Sequence, residues 1–390
     1  MRMERLPIII PTPSAYEFAR KLETHLRTYY LPQRGITAKK GDLWATTEVT
    51  IFADTDCMVA IREHIRAADV YIVCDVESSA TRLPHFKDGA HQSHKIHIGL
   101  DAYDVTHGGM KLPLKPRKVS LARHFDILLS TIEAARNAVK EGGRITAVLP
   151  CFPSGRQDRR GGRKSLDLKR RVVMLEACGC DHVLTMDIHN ESTELAFGAR
   201  TGFDSLFSAH TIINHLRKKP RELANTHIVA PDAGAFKRNR LYAEELGAPV
   251  SFLYKHRDQN QPNLVRAVLG FGGNVKDLQG KNVVIVDDII DTGGTLVEAA
   301  AFLRSKGVKK VTAIASHAVL SPPALERLGN AVKEGVLGKL IVTNSIAHPM
   351  KTIELPWIEF VDISKYFAKA IDRLNQGASL SELVKEKGKH

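Results

Sequence analysis

The stretch that decides the fold runs from Val283 to Leu296 and reads Val-Val-Ile-Val-Asp-Asp-Ile-Ile-Asp-Thr-Gly-Gly-Thr-Leu. Its first four residues are β-branched, a pattern typical of a short parallel strand that is buried on both faces. Asp287 and Asp288 come where that strand is expected to end, at the edge of the sheet where open α/β folds bind ligands. The stretch therefore predicts a strand that presents two carboxylates to a ligand.

The residues after the two acids have the composition of an anion-binding turn. Gly293 and Gly294 let the backbone approach an anion closely, and a helix that begins near Leu296 directs its first N–H groups to the same place. Polar side chains accompany the glycines at Asp291, Thr292 and Thr295. An ordinary turn with a helix cap is the alternative interpretation. The order of the residues favours a sugar-phosphate site, in which carboxylates bind hydroxyl groups and amides bind phosphate.

Composition describes an ordinary globular protein. The chain has 390 residues, 43% of them hydrophobic and 25% charged, which is enough for two domains. The apolar triplet Ile8–Ile10 is too short for a signal peptide and no run approaches a membrane span, so we expect a cytoplasmic protein with no membrane partner. Five scattered cysteines without Cys-x-x-Cys spacing indicate neither a disulfide framework nor a zinc site.

The formal net charge of +13 predicts anionic partners, a class that includes nucleotides, sugar phosphates and nucleic acid. Nucleic-acid modules usually interleave aromatic residues with a basic stripe, and only 6% of the residues here are aromatic. Nucleic-acid binding is therefore the minor alternative.

Short apolar segments alternate with amphipathic ones along the chain, which predicts an α/β fold with mostly parallel sheets. We expect strands at 6–10, 70–76, 145–149, 182–186, 227–229, 250–254, 283–286, 311–315, 340–342 and 358–361. We expect helices at 14–27, 124–140, 165–177, 208–218, 237–246, 295–305 and 364–374. A join near Ala209 divides the chain into domains 1–208 and 209–390.

Residues 81–118 are rich in proline and glycine and are interpreted as an inserted loop. They contain five histidines, three of which share a three-residue spacing: His85, His91, His94, His97 and His107. A metal site is one interpretation. Solvated histidines are the favoured one, because no Cys or carboxylate completes a familiar set of ligands.

A second informative stretch follows the strand expected at 145–149. It contains Arg156-Gln157-Asp158, and eight Lys or Arg fall between Arg156 and Arg171. A charge run is ordinarily a solvated face. Its position directly after a buried strand favours instead a loop that wraps a polyphosphate, for which the planar guanidinium is suited.

Three further strand ends carry polar residues. His189 follows Thr185-Met186-Asp187-Ile188, and Asp232 follows Val229-Ala230-Pro231. Lys255 and Arg257 alternate along an extended strand end, so both side chains can point the same way.

These segments resemble a known family. Asp287–Thr295 closely resembles the phosphoribosyl-pyrophosphate loop shared by type I phosphoribosyltransferases and ribose-phosphate pyrophosphokinases. Arg156-Gln157-Asp158 is similar to a loop of the pyrophosphokinases alone, and that family also carries Met-Asp-Leu-His, Ser-Pro-Asp-x-Gly and Lys-x-Arg where His189, Asp232 and Lys255 stand. The family's adenine-binding Phe-x-Asp/Asn-x-Glu is matched here to Trp44-Ala45-Thr46-Thr47-Glu48.

The resemblance implies a fold, a reaction and a set of roles. The fold is two phosphoribosyltransferase-like α/β domains, each a mostly parallel sheet flanked by helices. The reaction transfers the β,γ-pyrophosphoryl group of ATP to the C1 hydroxyl of ribose 5-phosphate, with Mg²⁺ as cofactor. The implied residues are Trp44, Thr46, Glu48, Arg156, Gln157 and Asp158 for ATP; Asp287, Asp288, Asp291, Thr292, Gly293, Gly294 and Thr295 for ribose 5-phosphate; His189 and Asp232 for the metal; and Lys255 and Arg257 for catalysis.

Two other classes of function stay open at this point. A phosphoribosyltransferase would use the same Asp287–Thr295 loop, but it explains neither the Arg156 loop nor the doubled length. A non-catalytic regulatory or nucleic-acid-binding relative would explain the charge.

Regulation is expected to differ from that of the family, which commonly assembles as hexamers under control by phosphate and ADP. Part of its regulatory site resembles Ser-Val-Arg-Gly, which here reads His64-Ile65-Arg66-Ala67. We expect a homo-oligomer with weakened or altered activation by phosphate.

Overall fold

The structure, a computed structural model, describes residues 5–52, 56–81, 94–107, 110–111, 119–155, 163, 165–257, 267–381 and 383. Its strands, in chain order, are β1 (Pro7–Pro11), β2 (Thr47–Ile51), β3 (Cys57–Ile61), β4 (Asp69–Val73), β5 (His94–Ile98), β6 (Tyr103–His107), β7 (Met110–Lys111), β8 (Arg144–Leu149), β9 (His182–Met186), β10 (Gly202–Leu206), β11 (Thr226–Ala230), β12 (Val250–Arg257), β13 (Ala267–Gly272), β14 (Asn282–Ile290), β15 (Lys310–Ala318), β16 (Lys339–Thr343) and β17 (Ile358–Val361). Its α-helices are α1 (Tyr16–His25), α2 (Leu31–Gln33), α3 (Leu121–Val139), α4 (Asp167–Ala177), α5 (Ala209–Arg217), α6 (Pro220–Leu223), α7 (Phe236–Leu246), α8 (Gly294–Ser305), α9 (Ala324–Lys333), α10 (Met350–Ile353) and α11 (Ser364–Asn375). None of the helices in these ranges is long and apolar enough to cross a membrane.

The chain divides into two compact units. Unit 1 contains the chain up to Phe207, Ile346–His348 and the chain from Ile363 onward, and unit 2 contains Ser208–Ser345 and Pro349–Asp362. This division differs from the expected domains at the C-terminal end, because α11 packs in unit 1. The apolar face of α11 joins the core that contains α1 and β1, and the hydroxyl of Tyr71 donates to the carbonyl of Ile371 at 3.3 Å.

Unit 1 contains a parallel sheet in the order β1-β4-β8-β9-β10. Successive residues of each strand enter cores on opposite faces, as the strand period of two requires: Ile9 packs in the core with α1 and α11, and Ile10 in the core with α3 and α4. Burial on both faces agrees with the apolar composition of β1, β4 and β8.

An antiparallel sheet in the order β3-β2-β5-β6-β7 also belongs to unit 1. The described parts of residues 81–118 therefore contain the three strands β5, β6 and β7, where the sequence analysis expected an irregular loop or excursion. The interpretation of this region as an insertion stays a prediction. His94-Lys95-Ile96-His97-Ile98 alternates polar and apolar residues, and Ile96 and Ile98 are fully buried in the core. That alternation was the missed signal.

Unit 2 contains a sheet in the order β13-β12-β11-β14-β15-β16-β17, parallel except for the antiparallel edge strand β13. Val283 and Ile285 pack with α8 and α9 on one face, and Val284 and Val286 pack with α5 and α7 on the other. The α/β fold class predicted from the sequence is confirmed. The sequence analysis missed α9, β10 and β13.

Candidate active site

The sheet of unit 2 reverses its strand order between β11 and β14. From β11 the chain goes to β12 on one side, and after β13 it crosses to β14 on the other. Ligands of such sheets usually bind in the crevice outside the carboxyl ends of the strands at this reversal. Asp232 follows β11, and Asp287 and Asp288 lie near the carboxyl end of β14. The topology therefore brings these three predicted residues to the same edge of unit 2.

Strand β14 continues through the acidic pair, although it was predicted to end at Val286. Pairing with β15 extends to Ile290, whereas pairing with β11 ends at Ile285. Asp287 and Asp288 are therefore consecutive residues within this strand. The longer strand depends on β15, which a local pattern of residues does not reveal.

Asn239 of α7 takes the place of a strand beside Val286. Its side-chain amide donates to the carbonyl of Val286 at 2.8 Å, and its amide oxygen accepts from the N–H of Val286 at 3.3 Å. The residue is completely buried. Because Val286 directly precedes the acids, Asn239 holds the backbone from which they project. Sequence analysis missed this residue; the available signal was an Asn on the buried face of α7, three residues before Tyr242.

The two carboxylates have different environments. Asp288 is 4% exposed, and its Oδ1 lies 3.7 Å from Nη1 of Arg238. The N–H of Asp288 donates to Oδ1 of Asp287 at 2.9 Å. Burial, together with a hydrogen bond to Asp288 and the negative charge of Asp288, raises the pKa of Asp287 to about 7. Asp287 can therefore accept from or donate to a sugar hydroxyl near neutral pH.

The turn after β14 is shaped for close approach. Gly293 has φ +72°, in the left-handed region that favours glycine, and α8 begins at the next residue. The first N–H groups of α8 have no partner within the helix and are available to an anion. Thr292 and Thr295 are exposed at the same turn.

Helix α9 packs against this turn. A Cβ atom on Gly293 would lie 3.2 Å from Cγ of Leu328, and one on Gly294 would lie 3.3 Å from Nη1 of Arg327. The same Nη1 donates to the carbonyl of Thr292 at 2.7 Å. The absence of a side chain at Gly293 and Gly294 therefore allows α9 to pack closely against the turn, and it also leaves room for a phosphate to approach the backbone.

Lys255 and Arg257 lie in β12, where they pair with Leu269 and Ala267 of β13. The structure describes their backbone, and the two residues lie two positions apart in this strand. Their strand was predicted to end at Tyr254 and extends instead to Arg257, because β13 pairs with it.

In unit 1, Trp44 is packed in the core. Its ring is 6% exposed and stands edge-on to Tyr16 at 6.2 Å between ring centroids. The indole N–H donates to the carbonyl of Ile98 at 3.4 Å. These contacts account for Trp44 without a nucleotide, and its assignment to ATP stays a prediction.

Glu48 is buried among cationic side chains. Arg62 donates to it at 2.5 Å, and Lys95 pairs with it at 2.9 Å. Burial opposes ionisation of Glu48, but the hydrogen bonds from Lys95 and Arg62 outweigh it and lower the pKa of Glu48. Thr46 lies two residues before Glu48, and its N–H donates to Glu63 at 2.6 Å.

The loops after β8 and β9 lie side by side. A Cβ atom on Gly155 would lie 3.9 Å from Cβ of His189, which is exposed. Arg156, Gln157 and Asp158 follow Gly155 in the sequence and lie outside the described residues. The implied ATP loop thus begins beside the implied metal ligand His189.

Comparison with known proteins decides the family. Ribose-phosphate pyrophosphokinase of Synechococcus elongatus is 31% identical to this chain over 336 residues, covering 86% of the chain and 84% of the relative. The chain belongs to the ribose-phosphate pyrophosphokinase family. Ribose-phosphate pyrophosphokinase 2 of Schizosaccharomyces pombe is 36% identical over 266 residues, covering 68% of this chain and 78% of the relative. A model of the phosphoribosyl synthetase-associated domain matches residues 271–385.

The fold agrees with a solved member of the family. The crystal structure of phosphoribosylpyrophosphate synthetase from Mycobacterium smegmatis aligns with a TM-score of 0.71 at 21% identity, covering 96% of this chain and all of that one. This likeness confirms the architecture of a ribose-phosphate pyrophosphokinase.

A second aromatic residue near Trp44 precedes a similar run of acids. Phe52-Ala53-Asp54-Thr55-Asp56 differs from the family's Phe-x-Asp/Asn-x-Glu in its last residue, which is Asp. Phe52 follows β2 and is 37% exposed, whereas Trp44 is buried. The N–H of Phe52 donates to the carbonyl of Asp56 at 2.9 Å.

Of the two implied metal ligands, Asp232 offers the carboxylate oxygens that Mg²⁺ prefers, and His189 offers an imidazole nitrogen. Asp232 is exposed after β11, and its Oδ1 accepts from the N–H of Ala235 at 2.9 Å. Within the described ranges there is no cluster of three or more His, Cys, Asp or Glu able to hold a metal. An exposed carboxylate fits Mg²⁺, which is usually held by one or two carboxylates together with substrate phosphates.

Proposed function

We propose that this chain, in the cytoplasm, transfers the β,γ-pyrophosphoryl group of ATP to the C1 hydroxyl of ribose 5-phosphate. The hydroxyl oxygen forms a bond to the β-phosphorus, and the bond from that phosphorus to the α,β-bridging oxygen breaks. The products are 5-phosphoribosyl 1-pyrophosphate and AMP, and the hydroxyl proton is released. The observation that carries the proposal is the Asp287–Thr295 segment at the strand-order reversal of unit 2, in a member of this family.

Ribose 5-phosphate is bound by two kinds of group. Asp287 and Asp288 accept hydrogen bonds from sugar hydroxyls, and Asp291 stands at the start of the turn. The amides of Gly293, Gly294 and Thr295 receive the phosphate at the start of α8, with the hydroxyls of Thr292 and Thr295 beside them. Binding at both ends of the sugar fixes the position of the C1 hydroxyl.

Lys255 and Arg257 are the proposed catalytic residues. The reaction needs a positioned hydroxyl and neutralisation of charge on the phosphoryl oxygens, and it needs no covalent bond to the enzyme. Two cations on one face of β12 are suited to that charge. Their shared strand is the support for this assignment.

Thr46, Glu48, Arg156, Gln157 and Asp158 are the proposed ATP residues. The resemblance implies Trp44 as well, but because Trp44 is buried and Phe52 is 37% exposed, we propose Phe52 instead as the ring on which adenine stacks. Phe52→Ala is then expected to raise the Michaelis constant for ATP about 10-fold or more, since stacking of a base contributes about 1–3 kcal/mol. Trp44→Phe, which keeps an aromatic ring in the core, should leave it within about threefold.

Mg²⁺ is the proposed cofactor, and His189 and Asp232 are the proposed metal ligands, as the family resemblance implies. When bound it neutralises charge on the phosphoryl oxygens. Asp232→Asn is expected to raise the Mg²⁺ concentration that gives half-maximal activity, while thermal unfolding without Mg²⁺ stays unchanged.

The deciding experiment incubates the protein with ATP, ribose 5-phosphate and Mg²⁺ and separates the nucleotides. Formation of AMP together with phosphoribosyl pyrophosphate is expected. ADP would indicate an ordinary kinase. Consumption of phosphoribosyl pyrophosphate with a purine base would indicate a phosphoribosyltransferase, and no turnover would indicate a regulatory relative. Light scattering tests the accompanying proposal of a homo-oligomer, expected to be a hexamer.

A further inference from the structure

Arg327 holds the turn that is proposed to bind phosphate. It lies in the first turn of α9, and its Nη1 donates to the carbonyl of Thr292 at 2.7 Å. Thr292 directly precedes Gly293, whose φ of +72° turns the chain into α8. The hydrogen bond from Arg327 therefore holds the peptide group between Thr292 and Gly293, directly before the residue in the left-handed conformation.

The position of this guanidinium is constrained by packing. Its Nη1 lies 3.3 Å from the place of a Cβ atom on Gly294. The next residue of α9, Leu328, is completely buried and contacts Gly293 from the same helix. Helix α9 thus presents an apolar anchor and a cation to consecutive glycines of one turn.

Among the residues that the structure describes, no carboxylate forms an ion pair with Arg327, and the hydrogen-bond partner of its guanidinium is the carbonyl of Thr292. An unneutralised guanidinium beside the first N–H groups of a helix adds to the positive potential there. A dianionic sugar phosphate is the ligand that this potential favours.

We propose that Arg327 is a positioning residue for ribose 5-phosphate, one that holds the phosphate turn open through Thr292 and strengthens its attraction for the anion. This inference rests on the proposed function of the turn. Residues that act on the other substrate belong to unit 1 or to β12, so the effect should be confined to the sugar phosphate.

The test compares Arg327→Met, Arg327→Lys and the parent. Arg327→Met removes the donor and the charge but keeps the aliphatic stem. A charge-assisted hydrogen bond contributes enough for the Michaelis constant of ribose 5-phosphate to rise roughly 10- to 100-fold in this variant. Arg327→Lys keeps one donor and the charge, and it should recover most of that loss, because only Nη1 makes the observed bond. The Michaelis constant for ATP should stay within about twofold in both.

Arg240→Met is the matched control. Arg240 is an exposed helical arginine of unit 2 whose ion pair, with Glu244 at 3.2 Å, lies at the surface. The Arg240→Met variant should leave the Michaelis constants for ATP and for ribose 5-phosphate unchanged. Thermal unfolding of each variant separates a local effect from loss of the fold.

Calorimetry without ATP, which measures binding of ribose 5-phosphate and of inorganic phosphate, tests the role of Arg327 separately from the proposed function. Weaker binding of both ligands to Arg327→Met than to the parent supports the role of Arg327. Unchanged binding, equal losses for ATP and ribose 5-phosphate, or no recovery in Arg327→Lys would overturn it while AMP formation by the parent still stands. A parent that binds ribose 5-phosphate but forms no AMP would overturn the proposed function and leave the role of Arg327 in binding intact.

Discussion

Asp287 and Asp288 show how two neighbouring residues of one type acquire different properties. Asp288 is 4% exposed, and its Oδ1 lies 3.7 Å from Nη1 of Arg238. Burial, a hydrogen bond to Asp288 and the charge of Asp288 raise the pKa of Asp287 to about 7. The two carboxylates differ because each has a different neighbour.

We predict that Asp287→Asn stabilises the protein above pH 7 while weakening the binding of ribose 5-phosphate. The pKa of Asp287 rises from an ordinary 3.8 to about 7 on folding, so the folded state binds the proton more tightly and loses stability as pH rises from about 4 to 7. Asparagine carries no charge and removes this loss in the free energy of unfolding, which amounts to at most about 4 kcal/mol. Denaturant unfolding of the parent and of Asp287→Asn at pH 5 and pH 8 measures the difference in free energy of unfolding. The exposed Glu334→Gln is the control, and a difference between Asp287→Asn and parent that is the same at both pH values would contradict the prediction.

Lys255→Ala is predicted to remove most of the turnover while leaving the fold and the affinity for MgATP nearly intact. A cation that acts on developing phosphoryl charge contributes roughly 10³-fold in rate, about 4 kcal/mol. Turnover, both Michaelis constants and thermal unfolding are measured. Arg257→Ala should behave similarly and also weaken ribose 5-phosphate binding, since a guanidinium can hold phosphate in the ground state.

Lys276→Ala, at an exposed position of the same unit, is the control for both variants. Turnover of Lys255→Ala within a few-fold of the parent would remove the catalytic assignment.

At the scale of the element, β14 and the turn after it depend on two helices. Asn239 of α7 closes the hydrogen bonds of Val286, and α9 packs against Gly293 and Gly294. The acids and the amides of the proposed ribose site are therefore supported from different sides.

We predict that Asn239→Ala destabilises the protein by about 2–4 kcal/mol and raises the Michaelis constant for ribose 5-phosphate more than that for ATP. Truncation leaves the buried N–H and carbonyl of Val286 without partners, and each such group costs about 1–3 kcal/mol. Denaturant unfolding and steady-state kinetics test this, with exposed Asn330→Ala as the control. A stable variant with parental kinetics would show that β14 keeps its position without the amide.

Gly293→Val is predicted to raise the Michaelis constant for ribose 5-phosphate sharply, with little change for ATP. The sequence suggested that the side chain would fill the space for phosphate. The structure directs it instead to Leu328 of α9, and a β-branched residue is also strained at φ +72°. The turn is therefore displaced rather than blocked.

Gly294→Val should be milder, because its Cβ meets the flexible end of Arg327. Steady-state kinetics and thermal unfolding of both variants test the order. Equal losses for both substrates would contradict the separation of the two sites.

At the scale of the whole molecule, each unit contains a parallel or mostly parallel sheet, and the two sheets differ in their edge strands. Unit 2 places β12 beside β11, so strand order reverses in the middle of its sheet. In unit 1, β1 is an edge strand of the parallel sheet, and the backbone of Trp44 forms an isolated parallel bridge with Ile9 on the open side of β1. After Trp44 the chain continues into β2 of the antiparallel sheet.

Activation by inorganic phosphate is predicted to be weak in this protein. The family's Ser-Val-Arg-Gly reads His64-Ile65-Arg66-Ala67 here, so an exposed imidazole replaces a hydroxyl that can donate to an anion. His64→Ser should strengthen the response when activity is measured against phosphate concentration, with and without ADP. Strong activation of the parent with tight ADP inhibition would contradict this.

The sequence by itself determined the α/β class and the family, together with most of the strands in their order along the chain. These features are local, because a β-branched run forms a buried strand and the family's motifs are runs of neighbouring residues. Tertiary structure alone decided that β14 passes Val286, that Trp44 is buried, that α11 packs in unit 1, and that Asn239 and Arg327 contact the proposed ribose site. The physical reason is that each of these depends on a partner distant in the sequence, and a local pattern of residues does not identify that partner.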